Sequence, residues 1–263
     1  MATENGTTSM NLLLSRDELL LTLQLLETAV IPGLDPDPLG ELSAEAQGVA
    51  LAVAGRGLRA RELARLGDDG TMRLHGTLMQ AVGAAAYAEK SVAVFHWEAG
   101  AEEPQRLFAH VRGDDAVLHL RPDTVLHLFA LFGEKAGVAE QLLTFCQWES
   151  AGKTSAKMTL SEAAFANARE AAQNGDAVGA AAALQAAGVA AAAATDIANT
   201  MSNNPKVTVF QTIAAGEDGE AMQQDVTIVH DETQAWSVRQ ADGTMQVAAS
   251  SKDGLVAQVN GWL

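Results

Sequence analysis

Six histidines, one cysteine, a Gly-Lys-Thr triplet, two pairs of adjacent carboxylates and a run of arginines invite a chemical reading of this 263-residue chain. Histidine binds zinc or moves protons when two or three converge at fixed spacing. His96, His110, His119 and His127 show no paired-ligand spacing, so they are expected to pack within strands and a helix or to lie at the surface. Gly152-Lys153-Thr154 ends like a phosphate-binding loop. That motif needs a glycine five residues before its Gly-Lys pair and a preceding strand, and this chain has Gln147 there and a polar linker around it. Cys146 has no recognisable histidine partner and, being single, forms no disulfide within the chain. GxSxG, HExxH and GxGxxG are absent from the sequence. The expectation is a non-enzymatic protein with no catalytic residues, no cofactor and no metal.

Two groups of residues suit binding rather than catalysis. Arg56, Arg59, Arg61 and Arg65 fall on a helix-break-helix segment before Asp68-Asp69-Gly70, an arrangement with the outline of a winged helix. Four arginines within ten residues suit phosphate contacts, but Glu62 lies among them in an acidic chain. The other group is a pair of acidic loops. Trp97-Glu98-Ala-Gly-Ala-Glu102-Glu103-Pro104 and Ala214-Ala-Gly-Glu217-Asp218-Gly-Glu-Ala-Met222 each join carboxylates to an aromatic or methionine. An apolar anchor inside a polar rim is how protein interfaces hold a partner. Trp97, Glu98, Glu102, Glu103, Glu217, Asp218 and Met222 are therefore the candidate partner-binding residues. The competing reading puts Trp97 in the core and leaves solvated turns behind it.

The bulk composition narrows the partners. Seventeen basic residues against 33 acidic ones give a formal charge of −16. That balance repels nucleic-acid backbones and anionic membrane surfaces and favours solubility. Met1 to Met10 carry no Lys or Arg, unlike the basic start of a secretory signal. Ala177 to Ala194 is mostly alanine, too weakly apolar and too short for a good membrane span. A cytoplasmic protein that binds neither nucleic acid nor membrane is expected, with a dimer possible.

The elements that must position these residues read in order. Ser15-x-x-Glu18 has the spacing of a capping box, and Leu19, Leu20, Leu23, Leu26 and Val30 follow at helical intervals. Pro32, Gly33, Pro36 and Pro38 make a loop. A second helix starts near Ser43 with Ala46, Val49, Ala50 and Val53 on one face, interrupted at Gly55 and Gly57. Another covers Leu74 to Ala88. Strands are expected at Ser91–Trp97, Arg106–Arg112 and Ala116–Arg121. Helices are expected at Val125–Phe132 and Val138–Trp148. After a polar linker the pattern returns: a helix from Ser161, a long Ala-rich helix ending near Asn203, and strands at Lys206–Ile213, Asp225–His230, Ala235–Arg239 and Met245–Ala249. Asp242-Gly243 is a hairpin turn between the last two, and Ser251 caps a closing helix.

The two halves match in order, with Ser91–Phe95 corresponding to Lys206–Phe210. This predicts an α+β fold of two pseudo-symmetric copies, each of helices, an antiparallel meander and a closing helix, the second copy adding a strand around Val247. A meander with helices on one face cannot cover its own apolar surface, whereas two packed copies can. The expected division is a flexible tail over 1–14, a first half over 15–148, a linker over 149–157 and a second half over 158–263, packed as one globular unit.

This order, with the segments Leu42-Ser43-Ala-Glu-Ala…Arg56-Gly57-Leu58-Arg-Ala-Arg-Glu-Leu63 and Trp236-Ser-Val-Arg…Val247-Ala-Ala-Ser…Leu255–Leu263, resembles the EspG family of type VII secretion chaperones. The resemblance is one of topology and covers most of the chain. It implies a chaperone-like adaptor that binds the helical tip of a PE–PPE or WXG100-like substrate through its central sheet and loops. The alternatives left open are a structural or self-assembling subunit and a winged-helix-like regulator.

Overall fold

The computed structural model describes residues 11–28, 31–35, 40, 42–131, 134–148, 156–215 and 221–263, with backbone alone at 131, 214, 215 and 221–224. Residues 1–10, Val30, Pro36, Pro38, Gly152–Thr154, Glu217, Asp218 and Glu220 thus lie outside the described residues. Backbone contacts divide the chain into two compact units. One comprises Met1–Ser91, Arg106–Val138 and Leu263, the other Val92–Gln105 and Ala139–Trp262.

The first unit begins with strand β1 (Asn11–Ser15) and helix α1 (Arg16–Leu25). The Ser15 hydroxyl accepts from Glu18 N–H at 3.2 Å, and the Glu18 carboxylate accepts from Ser15 N–H at 2.9 Å. This reciprocal box satisfies two of the donors a helix start leaves unpaired. Next come α2 (Ala44–Ala60), a small hairpin of β2 (Ala64–Leu66) and β3 (Met72–Leu74), and α3 (Gly76–Ala86). After β4 (Lys90–Trp97), which belongs to the second unit from Val92 onward, the first unit resumes with β5 (Gln105–Arg112), β6 (Asp115–Arg121) and β7 (Leu126–Leu131). Its strand order is β1-β7-β6-β5, antiparallel throughout. One row of directly opposed residues runs Phe108, His119, Phe129, Leu12 across those strands. Phe129, Leu12, Leu14 and Val117 pack with Leu19 and Leu23 of α1, Leu58 of α2 and Leu78 and Val82 of α3.

The second unit adds α4 (Val138–Phe145), β8 (Lys157–Ser161), α5 (Glu162–Gln173), α6 (Ala177–Ala186) and α7 (Ala191–Ser202). It closes with β9 (Lys206–Ala215), β10 (Ala221–His230), β11 (Ala235–Ala241), β12 (Thr244–Ala249) and α8 (Lys252–Trp262). The strand order is β4-β9-β10-β11-β12-β8. Trp236, Val238 and Val247 form one face with Leu160, and onto it pack Phe165, Ala168 and Ala172 of α5, Ala180 and Leu184 of α6, and Ala194, Ile197 and Ala198 of α7. On the other face Trp262 of α8 reaches the Phe210 ring (5.6 Å between centroids), and Trp148 tilts over His230 at 5.0 Å. Asp242 and Gly243 both have positive φ (49° and 71°), as a two-residue hairpin turn of the primed type demands.

Each half runs one strand, helices, four strands and a helix, the first inserting the β2–β3 hairpin among its helices, so the fold is α+β with an antiparallel meander repeated in order. Several expectations need correction. Val125–Phe132 is not a helix: Leu126–Leu131 is strand β7, paired with β1 and β6. The run is apolar at almost every position, so no period of two shows, and short apolar runs are ambiguous by pattern alone. With β7 in place, β12 around Val247 is no extra strand but the counterpart of β7. The first half closes instead on α4. The Ala-rich segment is two helices, broken at Gly188, whose φ is 91°. Asn11–Ser15 is a strand where a tail through residue 14 was expected, and Lys157 already begins β8 where a linker was expected.

Helix α2 runs unbroken through Gly55 and Gly57, and it turns the unexpected face inward. Ala54, Gly55 and Leu58 are buried, while Val49 and Val53 are 58% and 52% exposed. A Cβ on Gly55 would lie 2.9 Å from Met72 Cε and 3.3 Å from a Leu21 methyl. The glycine face goes in because only a missing side chain permits that approach.

Candidate partner-binding surface

Strand β4 ends on the residues singled out for binding. Phe95 and Trp97 share a face of the strand, half-buried, with ring centroids 6.5 Å apart. Trp97 is thus neither a core residue nor fully exposed. His96 points to the opposite face and is completely buried, its Nδ1 2.9 Å from Thr208 Oγ1 on β9. Beyond it, Glu98 closes a turn: Ala101 N–H donates to the Glu98 carbonyl at 2.9 Å, with Gly100 at φ 75°.

The Glu98 carboxylate is spent inside the second unit. One oxygen accepts from the Gln147 side-chain amide and lies 3.5 Å from His96 Nε2, and the other sits 3.3 Å from Lys206 Nζ. Lys206 Nζ also donates to the Gln147 side-chain oxygen. Burial holds the His96 imidazole below its ordinary pKa, partly opposed by the Glu98 charge. Glu98 therefore anchors the root of the loop. Glu102 and Glu103 lie on its exposed tip. Next to this knot Cys146 is 2% exposed, and burial pushes its thiol up to about 12, which removes it as a nucleophile.

Of the second acidic loop, Glu217 and Asp218 lie outside the described residues, and Met222 is placed by backbone only, opposite Ala214 in the β9–β10 ladder. The fold does join β9 to β10 as an antiparallel pair in the second unit, the unit that also holds Trp97 and the Glu98 turn. Phe95, Gln147 and Lys206 were not singled out in the sequence. Only the alternation along β4 hinted at Phe95, and nothing hinted at the other two, since the fold brings them from β9 and the end of α4.

Five histidines are buried and none forms a group of metal-binding character among the described residues. In the first unit His110, His119 and His127 form a ring-to-ring chain on the core face. Ser91 Oγ meets His110 Nδ1 at 2.9 Å, His119 Nε2 meets His127 Nδ1 at 2.8 Å, and the His119 ring stacks on Phe129 at 4.4 Å. Burial lowers His110 to about 3 and His127 to about 4, and drives His119 well below the usual value. These are packing groups held neutral. A loop presses on them through Gly33 (φ 94°), where a Cβ would stand 2.7 Å from the Phe108 ring.

The arginine segment is a helix followed by a β-hairpin. Arg61, though exposed, donates to the Glu18 carboxylate at 2.9 Å and to the Leu13 carbonyl at 2.5 Å, so it is a structural tie. Arg56, Arg59 and Arg65 stay exposed.

No described helix is long and apolar enough to cross a membrane. No family model matches the chain, and no curated protein matches it in sequence. Among solved structures it is similar to the type VII secretion chaperone EspG5 of Mycobacterium tuberculosis, determined in complex with the PE25–PPE41 dimer, with 11% identity and a TM-score of 0.68. The match covers 96% of this chain and 95% of that one. The chain thus has, over nearly its whole length, the fold of the EspG5 chaperone.

Proposed function

We propose that this chain is a non-enzymatic, chaperone-like adaptor that holds a helical secretion substrate, with the β4–β5 loop as a principal contact. The observation that carries the reading is the half-buried Phe95–Trp97 pair beside an acidic loop tip whose root is tied down by Glu98. A loop ordered in advance loses less entropy on binding. Beside it, the Phe95 and Trp97 rings at the end of β4 already present apolar area next to a carboxylate rim. The whole-chain likeness to a secretion chaperone supports the same role, and the recurrent element order supports descent from an internal duplication. A cytoplasmic location fits an adaptor that keeps its substrate soluble before export.

The test is co-purification from the native organism, comparing the wild-type chain with Trp97→Ser/Glu102→Lys/Glu103→Lys. The expected result is a stoichiometric complex with a predominantly helical protein, depleted at least about tenfold by the variant. Amides of residues 97–103 should exchange more slowly in the complex. A complex that survives the triple substitution without change, or one whose protection avoids the loop, would overturn the assignment.

A further inference from the structure

A second surface, in the other unit, carries its own signature and does not depend on the loop at β4–β5. Between Gly55 and His75 stand five arginines, while the whole chain has seventeen basic residues and a formal charge of −16. Two of the five are used internally: Arg61 on Glu18, and Arg73 on Asp69 at 3.4 Å. Among the described residues, no carboxylate pairs with Arg56, Arg59 or Arg65. In a chain with 33 acidic residues, three neighbouring cations without a partner are an unusual economy.

Their geometry is convergent. Arg56 and Arg59 are three residues apart on the last turns of α2 and so share a face. Arg65 sits on β2, directly opposite Arg73 in the hairpin ladder. Like charges opposed across two strands destabilise a hairpin, and one carboxylate, Asp69, answers this pair. With Ala60, Glu62 and Leu66 the three free arginines line an open groove of about 820 Å³. Apolar surface continues from it: Leu66 is 49% exposed, and Val53 and Val49 extend the Ala60 row up the helix at 52% and 58% exposure. Among the described residues, both valines stay more than half exposed beside these arginines.

We infer that this groove is a docking site for an acidic protein segment bearing an apolar stripe. The valines and Leu66 supply buried apolar area. The arginines supply charge-assisted hydrogen bonds and discriminate against basic segments. The exposed Val49, Val53 and Leu66 match an apolar stripe that a phosphate backbone lacks, so an acidic protein segment is the occupant that fits both the charge and the apolar area.

The experiment uses the full chain and a fluorescein-labelled peptide, Glu-Glu-Leu-Glu-Glu-Leu-Leu-Glu-Glu-Leu, in fluorescence anisotropy. Saturable binding that weakens as salt rises is expected. Arg56→Glu/Arg65→Glu should weaken it at least about tenfold, and Val53→Ser severalfold, with circular dichroism unchanged. A peptide with lysine in place of each glutamate should not bind. The inference is overturned if the charge-reversed chain binds as well as the wild type. It is equally overturned if a labelled DNA duplex binds more tightly through the same arginines. Concentration-dependent self-association that these substitutions abolish, with no peptide binding, overturns it too.

Discussion

The two units meet one problem, helices covering a meander, with different side chains. In the first, the cover is leucine: Leu19, Leu23, Leu58 and Leu78 are all essentially inaccessible, packed with Phe129 and with Leu14 of β1. In the second, the cover is alanine, with Ala168, Ala180, Ala194 and Ala198 fully buried and Trp236 as the largest filled volume. Small residues let α5, α6 and α7 lie close to one another, and the Trp236 indole, with Phe165, Leu184 and Ile197, fills what the alanines leave. Large residues hold helices further off and share the filling among many. The same element order thus tolerates two volume schemes, and it is the scheme, not the order, that decides which substitution is costly.

The largest expected effects follow from that contrast. Trp236→Ala should lower unfolding free energy by about 3–5 kcal/mol, as it truncates the largest fully buried side chain and leaves a cavity. Leu58→Ala should lower it by about 2–5 kcal/mol, whereas Ala180→Leu should cost about 1–3 kcal/mol by overpacking. Chemical denaturation reads all three. If Trp236→Ala proved milder than Leu58→Ala, the leading share given to Trp236 in filling the second unit would be wrong.

Acid titration should separate the units next. An imidazole kept neutral in the fold takes up a proton only on unfolding, once pH drops below its ordinary value of 6.5. Stability is therefore complete above pH 6.5 and falls as pH descends toward 4, where His127 titrates in the fold. As long as it stays neutral in the fold, such a histidine contributes a slope of about 1.4 kcal/mol per pH unit within that window. The first unit holds three, His110, His119 and His127, in mutual contact, and the second holds His96 and His230, whose rings lie 6.1 Å apart. His127→Gln should flatten the stability–pH curve by about one such slope, and an unchanged curve between pH 4 and 6.5 would refute the assignment.

The smallest effects lie at the helix ends. Helices α5 and α6 close on Gly175 and Gly188 with positive φ, each followed by the double hydrogen bond of a Schellman cap. Helices α1 and α2 make the same cap with Glu27 and Glu62, at φ 56° and 60°, where a side chain is strained. Glu27→Gly and Glu62→Gly should each raise stability by about 1 kcal/mol, and Gly175→Ala should lower it by a similar amount. Melting curves showing Glu27→Gly and Gly175→Ala shifting the same way would break this part of the comparison.

Much of the fold was legible because local signals agreed with it. Ser15, Ser43, Ser161 and Ser251 all cap the helices their positions announced. Asp242-Gly243 made the hairpin turn it spelled. What stayed illegible was set by tertiary partners. The buried face of α2 is chosen by Met72 and Leu21 pressing on Gly55, against the valine pattern that pointed the other way. Strand β7 alternates between buried and half-buried positions, but both kinds carry apolar residues, so its sequence shows no alternation. At the candidate site, Trp97 and the acidic loop could be read from composition. The ties of Glu98 to Gln147 and Lys206 could not, because their partners lie 49 and 108 residues away.

The burial of Cys146 has a practical corollary. As the single thiol in the chain, protonated at neutral pH and shut from solvent, it will ignore alkylating reagents for as long as the second unit stays closed. Its rate of labelling is then a clock for opening events in that unit alone, wound by the native sequence and needing no introduced probe.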